Sequence, residues 1–182
     1  MQLGLTFPLQ RKLKSKFVPH GTPLEHLYCW DLHCITLRGQ DSLLLVHCAS
    51  RYTVVACGVT KFDWGGLPGF AMEQMRSGLL DAGLPEQVIK DYFRAAGAPE
   101  LTRTHGRRAV AFLNRAWDDV LALDYTVDTA AQRQPLLEQA VNGIPCRCAG
   151  FEGRGTGKEY LYGASCIIVD GPAPPEGPKC CS

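Results

Sequence analysis

The spacing of apolar positions divides the chain into short strands and short helices. Residues 2–7 read as a strand. Leu9, Leu13 and Phe17 then recur every four residues, one face of a short helix, with Arg11, Lys12, Lys14 and Lys16 on the rest and Pro8 in the first turn. A loop over 18–26 leads to three strands, 27–37, 42–48 and 52–59, whose short breaks predict an antiparallel meander. The second and third of these are apolar at both parities (Leu43, Leu45 and Leu44, Val46; Val54, Ala56 and Val55, Cys57). Both sheet faces are therefore expected to be covered, by helices on one side and by helices or a partner on the other.

Proline and glycine punctuate the chain beyond the meander. Pro68 opens a helix over 68–82, with Ala71, Met75 and Leu79 inward and Gly83 as its stop. Pro85 opens a second over 85–96, burying Val88, Ile89, Tyr92, Phe93 and Ala96, and Gly97 and Pro99 end it. Residues 100–104 suit a further strand, and 107–124 the longest helix. Residues 134–141 look helical, 144–157 form a glycine- and cysteine-rich loop, and 160–169 read as a strand. The predicted fold is α+β: a mainly antiparallel sheet, the meander joined by N-terminal and later strands, packed by three or four helices. One domain is expected over 1–163, with a C-terminal strand and a Pro/Cys-rich tail over 164–182.

Composition narrows the partners. Nineteen basic against eighteen acidic residues, a net charge of +1, exclude a surface broadly seeking polyanions. A local basic patch remains, and Arg11, Lys12, Lys14 and Lys16 are its nucleic-acid candidates, with no aromatic residues interleaved for base stacking. No apolar run approaches the ~18–20 residues of a membrane span. The first residues lack the pattern of a secretory signal. The nine cysteines include Cys34, Cys48 and Cys57 inside apolar segments, which favours free thiols in a cytoplasmic protein. No cofactor is expected, and no metal. His33 and His47 point to opposite sides of the sheet if the hairpin loop is even, and the remaining candidate ligands are Cys146, Cys148 and Cys166, with Cys180 and Cys181 if the tail folds back.

The longest helix carries the most suggestive polar pattern. At about 100° per residue, Arg107, Ala111, Asn114 and Asp118 fall within about 60° of one another. Beside them lies an apolar face of Val110, Leu113, Trp117 and Leu121, and Arg108, Arg115 and Asp119 form an outward stripe. Arg107 and Asn114 either offer a fork of donors and an amide to an anion or tie the helix start to a neighbouring loop. His105, just before them, is a candidate acid or base. The segment from Gly153 to Lys158 looks like a phosphate loop but fails its spacing, since Glu152 and Glu159 stand where Gly and Ser or Thr are required. Phe62, Trp64, Pro68 and Phe70 around Gly65 and Gly66 make either a lid or a staple on the core.

Several of these features in order resemble a bacterial domain-of-unknown-function family, the one numbered 6933. They are the strand running into a basic helix at Leu5 to Lys14, Trp30 opening a strand pair, and the double helix. Thr104-His105-Gly106-Arg107 follows, with Asn114 seven residues after the arginine. The similarity covers about 1–125 and extends weakly to 163; where members read Met-Asn-Asp, this chain has Leu113-Asn114-Arg115. The resemblance implies a fold and a candidate ligand site at Arg107, Asn114, Asp118 and Trp30, but no reaction. The functional expectation is a small cytoplasmic interaction or regulatory module that binds a protein partner or its own copy. One alternative is an enzyme acting on a small anionic substrate through His105, Arg107 and Asn114. A further alternative is a nucleic-acid-binding module using residues 11–16.

Overall fold

The computed structural model describes residues 1–15, 18–147 and 154–170. A five-stranded sheet is its centre, made of β1 (Gln2–Leu5), β2 (Cys29–Leu37), β3 (Gln40–His47), β4 (Thr53–Ala56) and β5 (Glu100–Arg103), in the order β4-β3-β2-β1-β5. The meander β2-β3-β4 is antiparallel, as its short breaks require. β1 inserts between β2 and β5 and runs parallel to both, with Leu3 opposite Trp30 and Leu101. The β2–β3 turn is tighter than expected. Arg38 and Gly39, at φ 48° and 80°, form a two-residue turn that puts Leu37 opposite Gln40. The register moves by two, so parity survives: His33 faces Leu44, His47 faces Trp30, and the two imidazoles lie on opposite faces.

Helices cover both faces. Leu3, Leu5, Trp30, Leu32, Leu43, Leu45, Val54 and Ala56 pack against α1 (Phe7–Lys12), α3 (Leu67–Asp81), α4 (Glu86–Ala96) and Leu161 of α7 (Gly157–Asp170). On the other face Ile35, Leu37, Leu44, Val46, Val55 and Cys57 meet α5 (Gly106–Ala122) and α6 (Pro135–Asn142). The doubly apolar strands are thus satisfied within the chain. The outer edge of β4 is capped as well: Glu138 Oε1 accepts from Val55 N at 2.9 Å, while Asn142 accepts from Thr53 N and donates to its carbonyl. A short α2 (Lys61–Gly65) completes seven α-helices among the described residues, more than the three or four expected. A two-stranded ribbon, β6 (Pro145–Cys146) and β7 (Gly155–Thr156), lies apart.

Three expectations are corrected. Residues 160–169 are helical, not a strand. Thr156 and Glu159 hydrogen-bond reciprocally, each side chain accepting from the other's backbone N–H, and this capping box starts α7 despite the β-branched run at 167–169. The expected boundary at 163 lies inside this helix. Secondly, the aromatic segment around Gly65 and Gly66, expected as a lid or a staple, contains α2, capped by Thr60 and Asp63. Its aromatics part: Phe70 is buried, Trp64 carries Lys12 over its ring at 5.1 Å, and Phe62 is 89 % exposed. Thirdly, α5 is turned from its expected orientation. Ala109, Leu113, Ala116 and Val120 are buried, while Trp117 and Leu121 are substantially exposed. The small alanines let the helix lie close to the sheet. Asp119, expected to face outward, is buried against Arg51.

Candidate functional site

β1 and β5 are parallel neighbours whose chains leave on opposite sides. After β1 the chain enters α1, whose Leu9 packs on one face; after β5 it enters α5, which packs on the other. Such a divergence opens a crevice beyond the carboxyl ends of the strands, the usual ligand position in open sheets with parallel strands. Arg103 and Thr104 stand there and are shared by two cavities. One, of about 550 Å³, is also lined by Leu5, Gln10, Arg11 and Lys14. The other, of about 200 Å³, runs back past His20, Thr22, His26 and His105 to Gln2. Among the described residues, no acidic side chain lines either cavity. Arg103 is exposed and held in place, its Nε donating to Val18 O at 3.1 Å and its Nη1 lying 3.1 Å from His20 Nε2.

Behind the smaller cavity lies a buried polar cluster. Asp31, on β2, has no exposed surface. Its Oδ1 is 2.7 Å from His105 Nδ1, and both carboxylate oxygens accept from the His105 backbone N–H at 3.2 and 3.3 Å. Cys48 Sγ approaches the same Nδ1 at 3.6 Å. The other ring nitrogen, Nε2, is 3.1 Å from Gln2 Oε1, and Gln2 Nε2 in turn donates to Thr22 O at 2.8 Å. Burial works against a charge on His105, but the hydrogen bonds to Asp31 and Cys29 and their charges outweigh it, and its pKa is pushed up to about 9. Burial, followed by the charge of Asp31, holds the Cys48 thiol well above its ordinary range. The donor atoms of Asp31, Cys48 and His105 all lie within 4.8 Å of one another, so these three residues are the ones placed to hold a metal ion among the described residues.

Gly4 makes the cluster possible. It sits on β1 opposite Asp31, and a Cβ there would fall on Asp31 Oδ1 and lie 2.9 Å from His105 Nδ1. Gly4→Ala is therefore expected to lower unfolding free energy by about 1–3 kcal/mol, the usual cost of overpacking. Chemical denaturation checks this; an unchanged midpoint would show that the carboxylate and imidazole do not need that space.

Of the residues singled out by the sequence, His105, Arg11 and Lys14 come together around this crevice. Arg107, Asn114 and Asp118 do share one side of α5, but that side is exposed and lines neither cavity. Trp30 is fully buried on the opposite sheet face. Lys12 is engaged by Asp41 at 2.7 Å, and Lys16 lies outside the described residues. Cys146 is half-buried in β6, away from the cluster; Cys148 and the segment 171–182 lie outside the described residues, and Cys166 belongs to a stretch of α7 described by its backbone. Arg103, Asp31, Cys48 and Gln2 were not singled out as a site. One signal was legible: Asp31 is the lone carboxylate in a mostly apolar strand.

A family described as a domain of unknown function, DUF6933, matches residues 2–160. The chain belongs to this family. The DUF6933 match extends beyond the segment over 1–125 that carried the sequence resemblance, and takes in the sheet, the crevice and the start of α7. A comparison with curated proteins finds no match. Among the described residues of this DUF6933 domain, no helix is long and apolar enough to cross a membrane, and Cys29, Cys34, Cys48, Cys57 and Cys146 are unpaired.

Proposed function

We propose that this DUF6933 domain is a regulatory binding module for a small anionic ligand, one bearing a phosphate or carboxylate group, seated in the crevice between β1 and β5 against Arg103. The observation that carries this reading is the pair of cavities meeting at Arg103, whose walls, among the described residues, carry basic but no acidic side chains. Arg103 offers a planar fork of donors suited to an oxyanion. Arg11 and Lys14 add charge on one side, and the Gln2 and Thr22 side chains add polar groups on the other.

Binding is favoured over catalysis by the arrangement around His105. A nucleophile–base relay needs the nucleophile and the orienting carboxylate on different ring nitrogens. Here Asp31 and Cys48 share Nδ1, and Nε2 is taken by Gln2. Arg107 and Asn114 line neither cavity, so a substrate held by them would sit outside the crevice. The protein-partner reading loses its chief motive, because the chain's own helices cover both sheet faces. A nucleic acid would use Arg11 and Lys14 too, but Lys12 is already paired with Asp41.

Titration of the intact chain with inorganic phosphate or pyrophosphate, followed by calorimetry, tests this reading. Arg103→Gln is expected to weaken binding about 10- to 100-fold, the equivalent of one charge-assisted contact. Arg107→Gln is expected to leave binding unchanged. Failure of the intact chain to bind either anion, or an Arg103→Gln variant that binds as well as the original, overturns it.

A further inference from the structure

We propose that Asp31, Cys48 and His105 form a binding site for a divalent metal ion of the zinc class. The three residues supply oxygen, sulfur and nitrogen donors, the mixture that zinc sites draw on. They come from three separate parts of the fold: Asp31 from near the start of β2, Cys48 from just beyond β3, and His105 from the junction of β5 and α5. Asp31 and Cys48 are buried, and Ala109 of α5 packs on Cys29 and Cys48.

The orientation of His105 is that of a ligand. Its Nδ1 faces both Asp31 Oδ1 and Cys48 Sγ, so one ring atom serves both partners. Its Nε2 is spent on Gln2 Oε1, and Gln2 is fixed in turn by Thr22 O. Metal-bound histidines regularly keep such an outer hydrogen bond, which sets the ring's orientation and tautomer. Asp31 has its own outer contact, the backbone N–H of His105. The distances are close to those needed. With metal–ligand bonds of about 2.0–2.3 Å, tetrahedral neighbours stand about 3.3–3.7 Å apart. The Cys48–His105 separation of 3.6 Å already fits, and the Asp31–His105 contact of 2.7 Å has to open by about half an ångström.

The exchange balances. The metal dication displaces the ring proton from His105 Nδ1 and the thiol proton from Cys48, releasing two protons to solvent. It leaves carboxylate, thiolate and neutral imidazole around a dication, so the cluster is neutral before and after. Three protein ligands leave a fourth position; the Cys29 thiol beside the cluster is turned to Glu25 O, to which it donates at 3.4 Å. Arg103 takes no part in this site, although Gln2, Thr22 and His105 border both it and the smaller cavity.

Cobalt(II), added to the intact reduced chain and then displaced by zinc(II), is the probe. One equivalent is expected to bind, with a thiolate-to-cobalt charge-transfer band and the intense visible bands of a four-coordinate ion. Cys48→Ser, a change of one atom, is expected to abolish the charge-transfer band. Asp31→Asn is expected to weaken cobalt binding at least about 10-fold. Arg103→Gln is expected to leave it unchanged, which separates this outcome from the test of anion binding. An intact chain that takes up no cobalt overturns the proposal. So does a Cys48→Ser variant that keeps the full band, because the metal is then held by other thiols.

Discussion

Asp119→Ala is expected to destabilise the fold by about 3–5 kcal/mol, whereas Asp118→Ala, one position earlier, changes stability by less than about 0.5 kcal/mol. The two carboxylates are neighbours in the sequence and opposites in the structure. Asp118 is exposed on the solvent side of α5. Asp119 is only 7 % exposed and accepts from Nη2 of Arg51, itself 4 % exposed. Arg51 holds a left-handed backbone conformation, φ 61°, in the turn before β4. That turn aims its guanidinium into the interior, where Arg51 Nε has no hydrogen-bond partner among the described residues. Removing Asp119 strands a cation that cannot reach water, and the penalty is that of an uncompensated buried charge. The exposed Arg115, 3.5 Å from the other carboxylate oxygen, cannot compensate, because it carries the same sign as Arg51. Urea denaturation of the two variants side by side measures the difference. Equal midpoints would mean that the pair contributes nothing and that α5 is held by its buried apolar residues alone.

That pair explains why the sequence placed α5 correctly and turned it wrongly. Helical periodicity reports apolar side chains, and Val110, Leu113, Trp117 and Leu121 form a convincing stripe. The buried side is instead marked by Ala109 and Ala116, whose small size permits close approach, and by Asp119, whose partner lies in a distant turn. Neither signal is local. The meander, α3 and α4 were legible because glycines and prolines bound them and because their apolar residues repeat at the period of their element. The double-sided burial of β3 and β4 was legible for the same reason.

The position of β1 was not. A four-residue strand that pairs in parallel with two partners, one about a hundred residues away in sequence, leaves no mark in its own residues. Since the crevice exists only because β1 and β5 are neighbours, Arg103 gave no sign of its place. His105 was noticed for its chemistry and Asp31 was not, although the two form one unit. The resemblance drew attention to 104–114, the stretch at the entrance to α5. The structure puts Arg107 and Asn114 on its solvent side and His105 on its inner side.

Trp30→Ala is expected to cost about 3–5 kcal/mol, the range for emptying the space of a fully buried large aromatic. Trp30→Phe is expected to cost less, because a ring still fills part of the space. Trp30 has no exposed surface and lies on β2, the central strand. Its Nε1 donates to the Tyr92 hydroxyl at 2.8 Å, and that hydroxyl donates to Leu27 O at 3.0 Å, so one chain of hydrogen bonds ties β2, α4 and the turn before β2 together. The His47 ring packs 5.0 Å away, centre to centre. All of this lies on the face opposite Asp31, because adjacent strand residues point to opposite sides. Trp30 was a candidate for ligand contact, and phosphate affinity decides between the two roles. If Trp30 is packing alone, Trp30→Phe unfolds at lower urea but binds phosphate as tightly as the original chain. A Trp30→Phe protein that remains folded yet loses about 10-fold in phosphate affinity would move the ligand to the α4 side of the sheet and remove the case for Arg103.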